Sequence, residues 1–417
     1  MKITKVQARE IFDSRGFPTL ECQLFLDNDV SVLASVPAGK SKGIHEALEL
    51  RDGGARLFGK GVLKAIEYIE HTIGPELLGK EPDLFLADRL MIELDGTTNK
   101  VKLGANTMLA VSMAVTRAQA HAEHLELYEL IAHVYGSQTV TLPFPLFNVI
   151  NGGVHADNNM RIQEFMITPI GGGNFRDTME LGVVLFYELK ALLKKAGKII
   201  TVGDEGGFAC LFSTETEALD FLTEAITKIG NGDHYRIAID VAASEFYNEQ
   251  THCYDWHGDF LTSAEMIALY TTLVQTYPIY SIEDGLSQDD WQGWMAMMNQ
   301  MGDKIQIVGD DLFVTSEQRI KHGCLVNAAN AVIIKPNQIG TITETLNAIQ
   351  ACAASSMNSI ISHRSGETED TFIADLAVGT SSGQIKAGGC SRSERLAKYN
   401  RLLRIEDQLI RSLMVNF

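Results

Sequence analysis

Ile305–Asp311 reads IQIVGDD, a β-branched run that stops on paired acids. Three other runs have the same build: IAID ending at Asp240, YSIED ending on Glu283 and Asp284, and AVIIK ending at Lys335. Short runs rich in Ile and Val, apolar along their length, read as buried strands. One such run marks no more than the point where a strand meets water. The series in one chain predicts parallel strands that carry carboxylates, and then an ammonium, to a common rim. Carboxylates converging on rigid strand ends make a hard, oxygen-lined site suited to Mg²⁺. A lysine at the same rim is a candidate base.

The sequence around these runs has the rhythm of a barrel. Short apolar runs alternate with helix-length amphipathic segments, among them Thr178–Ala196, Glu215–Ile229, Ser263–Gln275 and Ile342–Ala354. That alternation has the size of an eightfold β/α barrel. Upstream, KITKVQARE (Lys2–Glu10), TLECQLFL (Thr19–Leu26) and VSVLASV (Val30–Val36) are separated by the turn sequences DSRGFP and DND, which predicts a three-stranded meander. LKAIEYIEHTI (Leu63–Ile73) and Asn106–His121 place apolar residues at helical spacing. The N-terminal part therefore reads as a compact α+β domain. The proline-bearing stretch GSQTVTLPFPLF (Gly136–Phe147) puts the division between residues 1–136 and 137–417.

Lys and Arg total 35 against 53 Asp and Glu, a formal net charge of −18. Such a surface argues against nucleic acid or an anionic membrane as the main partner. The six cysteines are scattered, with no CxxC pair, as expected of reduced thiols in a cytoplasmic protein. MKITKVQARE lacks the apolar core of a signal peptide. No stretch reaches the ~20 apolar residues of a membrane span.

Ten segments occur in order: DSRGFPT, NGGVHADN, IQEFMI, VGDEGG, DVAASEF, SIEDGL, GDDLFVT, IKPNQIG, SHRSGETED and GQIKAGG. This set resembles the enolase family from Lys2 to about Gln408. Sites of that superfamily are a known case of a Lys or His base beside one or two Mg²⁺. The resemblance implies an N-terminal α+β domain over a modified barrel of order ββαα(βα)₆. It implies reversible dehydration of 2-phospho-D-glycerate to phosphoenolpyruvate, the step of glycolysis and gluconeogenesis, with two Mg²⁺ per active site. Abstracting a carbon-bound proton beside a carboxylate creates a dianion that needs several positive charges around it.

By resemblance, Asp240, Glu283 and Asp310 hold the first Mg²⁺ and Ser41 the second. Lys335 takes the proton, its pKa lowered by divalent charge, and Lys386 adds positive charge beside it. Glu205, paired with Glu164, is the general acid, one of the two staying protonated. Its following glycines are expected to let backbone approach the substrate. Arg364 and Ser365 match the phosphate holders, a guanidinium fork and a hydroxyl. His155, Gln163 and His363 match further substrate contacts. The family is usually dimeric, sometimes octameric. Arg9, Glu21 and Arg404 match its interface charges, with Asp407 where glutamate is usual.

The mobile loop departs from the family's PSGASTG and reads PAGKSKG (Pro37–Gly43). Lys40 or Lys42 is expected near the phosphate, partly replacing the second metal's charge. Pro336 removes an N–H beside the base. The loop also invites other readings. ASVPAGKS (Ala34–Ser41) fits a degenerate nucleotide-phosphate loop, but Pro37 and a single glycine before the lysine make a nest of free N–H groups hard to build, and an antiparallel meander precedes it. A relative acting on another phosphorylated or phosphonylated 2-hydroxy acid is the alternative within the superfamily. A surface-binding protein on an inactive scaffold is disfavoured, because the acids and both lysines are intact.

Overall fold

The computed structural model describes residues 1–40, 43–230 and 232–415, with side chains to residue 411. Ser41 and Lys42 thus lie outside the described residues. The chain opens with β1 (Ile3–Phe12), β2 (Pro18–Leu26) and β3 (Ser31–Ser35), an antiparallel meander in that spatial order. Asp13 closes the first turn by accepting the N–H groups of Arg15 and Phe17 at 2.9 and 3.0 Å, an Asx turn that explains DSRGFP. Three helices follow the meander: α1 (Leu84–Asp95), α2 (Ala105–Ala122) and α3 (Leu127–Tyr135), the first and third packing on the second. α2 packs on β2 and β3 and is buried almost all round, which is why its apolar residues show no clean stripe. Among the described residues no helix is long and apolar enough to cross a membrane.

The helix expected over Leu63–Ile73 forms, but as α-helix only over Leu63–Tyr68, followed by a π-helical turn over Ile69–Ile73. Gly74 packs against Val6, and Pro75, which has no N–H to donate, follows it. The carbonyl of Ile69 is met by the N–H of Gly74, the wider π pattern.

From Phe144 onward the chain builds a closed eight-stranded barrel. β4 (Phe144–Asn151) and β5 (Glu164–Pro169) come first, then α4 (Phe175–Lys195) and α5 (Glu215–Lys228). Six β/α pairs follow: β6 (Tyr235–Asp240) with α6 (Ser263–Thr276), β7 (Ile279–Glu283) with α7 (Trp291–Met301), β8 (Gln306–Gly309) with α8 (Glu317–Val326), β9 (Ala331–Ile334) with α9 (Ile342–Ala354), β10 (Asn358–Ser362) with α10 (Phe372–Gly379), and β11 (Gly383–Gly388) with α11 (Ser393–Val415). This is the expected ββαα(βα)₆ order, and the second strand alone runs antiparallel to both neighbours. Side-chain caps at Asn174, Thr214, Thr262, Asp290, Ser316 and Thr341 accept first-turn N–H groups and start six of these helices. Inside the barrel, Leu146, Met166, Ala238, Val308, Ala331, Ile333 and Ile360 form an apolar plug under the rim.

The N-terminal domain grips the barrel just beyond Lys335. Asp88 accepts the N–H of Thr343 at 2.8 Å, Ser112 accepts that of Ile342 at 2.9 Å, and Lys100 pairs with Glu344 at 2.7 Å. Burial, countered by these hydrogen bonds, pushes the Asp88 carboxyl from 3.8 up to about 6. The native state then binds the proton more tightly than the unfolded chain. This contribution is full below about pH 4 and is lost as pH rises through about 6, on the order of 3 kcal/mol at most. Asp88→Asn is accordingly expected to flatten the stability profile across that window in denaturant melts at stepped pH. An unchanged slope contradicts this.

Candidate active site

Strand register sets the site. β6, β7, β8 and β9 are mutually parallel, so Asp240, Glu283, Asp310 and Lys335 arrive together at their C-terminal ends. β5 runs the other way, which puts its first residue, Glu164, beside Asp240 at the same rim. Lys386 lies in β11 opposite Ser362, and His363, Arg364 and Ser365 continue from the end of β10. His155 ends the short turn Gly153–His155, and Gln163 directly precedes β5. Glu205 comes from the loop between α4 and α5. One pocket is lined by His155, Gln163, Glu164, Glu205, Asp240, Asp310, Lys335, His363, Arg364, Ser365 and Lys386. Glu283 lies beneath it, against Lys386.

The acids are close enough for one cation to reach more than one of them. The Lys386 ammonium sits 2.8 Å from Asp240 Oδ2 and 2.9 Å from both Glu283 oxygens, with Glu164 at 3.4 Å. Lys335 pairs with Asp310, whose other oxygen accepts from Gln338 Nε2 at 2.9 Å. Asp284, Asp310 and Asp311 each offer an oxygen within 4.8 Å of the others. Burial works to depress both lysines, but the acids outweigh it: Asp310 holds Lys335 above the usual lysine range, and Asp240, Glu164 and Glu283 raise Lys386 further. Among these side chains alone Lys335 is therefore a cation. The lowered pKa expected of a base depends on divalent charge competing for Asp310.

In the same pocket, His155 Nδ1 lies 3.5 Å from both Glu164 Oε1 and Glu205 Oε2. Burial and the neighbouring Glu205 raise the Glu164 pKa well above the carboxylate range. Burial acts on Glu205 too, but His155, His363 and Arg395 overcome it and hold this acid ionised. The pair thus keeps one proton, residing on Glu164 in this arrangement. Both histidines are pushed down by burial, His363 strongly. Arg395 donates to His363 Nδ1 at 2.6 Å, so the histidine proton belongs on Nε2, 3.5 Å from Glu205.

The glycines of VGDEGG also serve packing within the protein. A Cβ on Gly207 would stand 2.5 Å from Asn148 Oδ1, so the missing side chain lets this loop lie against the protein's own floor. Asn148 in turn donates to Glu205 Oε2 at 3.1 Å, and Gly389 N–H to the Glu205 carbonyl at 2.8 Å. Pro336 is also explained: it takes the first position of the short helix Pro336–Ile339, where an N–H has no intrahelical partner. Lys40 donates its main-chain N–H to Ser365 Oγ at 3.1 Å, and its ammonium points to Asp204 at 3.6 Å.

The donor set fits a divalent cation. Glu164, Glu205, Asp240, Glu283, Asp284, Asp310 and Asp311 outnumber Lys335, Lys386 and Arg364 in one buried space. Glu164 Oε2, Gln163 Oε1, both nitrogens of His155 and His363 Nε2 are buried without a hydrogen-bond partner among the described residues. Buried polar atoms left open in one cavity point to something that binds there.

A barrel with its acids, lysines and a guanidinium gathered at the strand C-termini defines an enzyme, with its active site at that face. Comparison makes the class particular. Residues 3–131 match the family model "Enolase, N-terminal domain" and residues 139–415 match "Enolase, C-terminal TIM barrel domain". The chain is 52% identical over 410 residues to an enolase of Natranaerobius thermophilus, covering 98% of this chain and 95% of that one. It belongs to the enolase family, the carbon–oxygen lyases classed as phosphopyruvate hydratases.

Proposed function

We propose that the protein reversibly dehydrates 2-phospho-D-glycerate to phosphoenolpyruvate. The observation that carries this is the convergence of Lys335, Lys386 and the Glu164–Glu205 pair on one pocket that Arg364 and Ser365 also line. Asp240, Glu283 and Asp310 would hold one Mg²⁺, and Ser41 is proposed for a second. When bound, Mg²⁺ supplies the positive charge that makes a proton beside a carboxylate removable.

The remaining steps belong to this chain's own groups. Lys335 accepts the proton from C2. The Lys386 ammonium stabilises the negative charge that develops on the substrate carboxylate. The proton shared by Glu164 and Glu205 goes to the C3 hydroxyl, which leaves as water while the C2–C3 double bond forms. His155 and His363 can orient oxygen atoms. Arg364 and Ser365 hold the phosphate.

The division of the chain between residues 136 and 137, a homodimer or higher oligomer, and a cytoplasmic location belong to the same proposal. They are supported by the family membership and by the reduced cysteines. The test is phosphoenolpyruvate absorbance with 2-phosphoglycerate against a panel of phosphorylated and phosphonylated 2-hydroxy acids, with and without Mg²⁺. The expected result is Mg²⁺-dependent product with 2-phosphoglycerate preferred. Preference for another acid would establish the alternative substrate.

A further inference from the structure

Arg364 can hold a phosphate only if its guanidinium is aimed, and an arginine side chain has four torsions to fix. A carboxylate that sequence reading passed over fixes them. Arg364 Nη1 donates to Glu46 Oε2 and Nη2 to Glu46 Oε1, each at 3.1 Å, a two-pronged pair with both side chains buried. Nη1 also donates to Asn337 Oδ1 at 3.0 Å, two residues beyond Lys335. Glu46 Oε1 further accepts the Gly43 N–H at 3.2 Å and Gln338 Nε2 at 3.4 Å. This acid therefore touches the guanidinium, the end of the Pro37–Gly43 loop and the segment after the base. On the loop's other side, a Cβ on Gly39 would stand 1.9 Å from Arg364 Nη2, so loop backbone lies directly against the same guanidinium.

We propose that Glu46 is a positioning residue for phosphate recognition, locking the aim of Arg364 against the backbone at Gly39 and Gly43. The assignment rests on the phosphorylated-substrate reading above. It predicts that removing the Glu46 charge weakens recognition of the phosphate and spares the rest of the substrate. Glu46→Gln keeps the shape, but its amide NH₂ faces a guanidinium that only donates, so one prong is lost.

The test compares full-length wild type and Glu46→Gln in three readouts: KM and kcat for 2-phosphoglycerate, binding of inorganic phosphate by calorimetry, and inhibition by tartronate, a hydroxy diacid without phosphate. Expected are a KM rise of roughly 10- to 100-fold, the scale of lost orienting groups, an equal loss in phosphate affinity, a smaller change in kcat, and unchanged tartronate inhibition. In an Arg364→Lys background, whose single ammonium cannot be gripped by two prongs, Glu46→Gln should add less than about a further twofold. Phosphate affinity unaltered by Glu46→Gln, equal weakening of phosphate and tartronate, or the same factor in both backgrounds would overturn the proposal. If Glu46→Gln does not fold, Glu46→Asp, which keeps the charge on a shorter arm, takes the same readouts with the same outcomes. Wild type that binds phosphate but turns over no 2-phosphoglycerate would strike the functional reading, leaving the Glu46 result to stand on calorimetry.

Discussion

Lys335→Ala is expected to lower kcat/KM for 2-phosphoglycerate by at least about 10³-fold, within the range that general-base catalysis supplies. Lys335 ends β9 at the rim, and removing its side chain leaves the strand and the apolar plug untouched. Thr315 Oγ1 accepts the Lys335 backbone N–H at 2.8 Å, so the backbone stays held. The loss should therefore appear in chemistry rather than folding. It should also abolish exchange of the C2 hydrogen with deuterated solvent, measured by NMR, since Lys386, the other lysine lining the pocket among the described residues, is kept protonated by Asp240, Glu164 and Glu283. Persistent exchange in the variant would reassign the base.

Glu205→Gln should behave differently. It removes the ionised member of the pair while keeping an oxygen for Asn148 Nδ2 to donate to, as it now does at 3.1 Å. Product formation is expected to fall roughly 10²- to 10⁴-fold, because delivery of the proton to the departing hydroxyl fails. Exchange at C2, which depends on Lys335, should continue at near wild-type rate. A variant that lost exchange and elimination equally would show that the base and the acid do not act in separate steps. One that kept full elimination would place the acid on Glu164 alone.

Much of this was legible in the sequence for physical reasons. Buried parallel strands have to be apolar until they reach water, so IAID, YSIED, IQIVGDD and AVIIK announce both the strands and the face where they end. The antiparallel β5 was not legible from pattern: EFMITP reads alike in either direction, and only the resemblance implied its place. Glu46 went unseen because IHEALELRD looks like one side of a surface helix, whereas the segment is irregular and its acid is turned inward onto Arg364. Arg395 likewise looks like a solvated helix residue, yet it is fully buried against His363 and the carbonyls of Arg364 and Ser365. Pairings between segments hundreds of residues apart leave no local signal. The broken helix at Ile69–Ile73 did leave one, the Gly74–Pro75 step, which outweighs the periodicity before it.

The account depends most on Asp240, Glu283 and Asp310 gathering a divalent cation. Calorimetric titration of Mg²⁺ into wild type and into Asp310→Asn, with thermal melts at matched Mg²⁺ concentrations, tests this without turnover. Wild type should bind Mg²⁺ and melt higher as the ion is added, whereas Asp310→Asn should bind at least about tenfold more weakly, as losing a charged oxygen ligand requires. Equal Mg²⁺ affinity in the two proteins, or no binding to wild type with the fold intact, would contradict it.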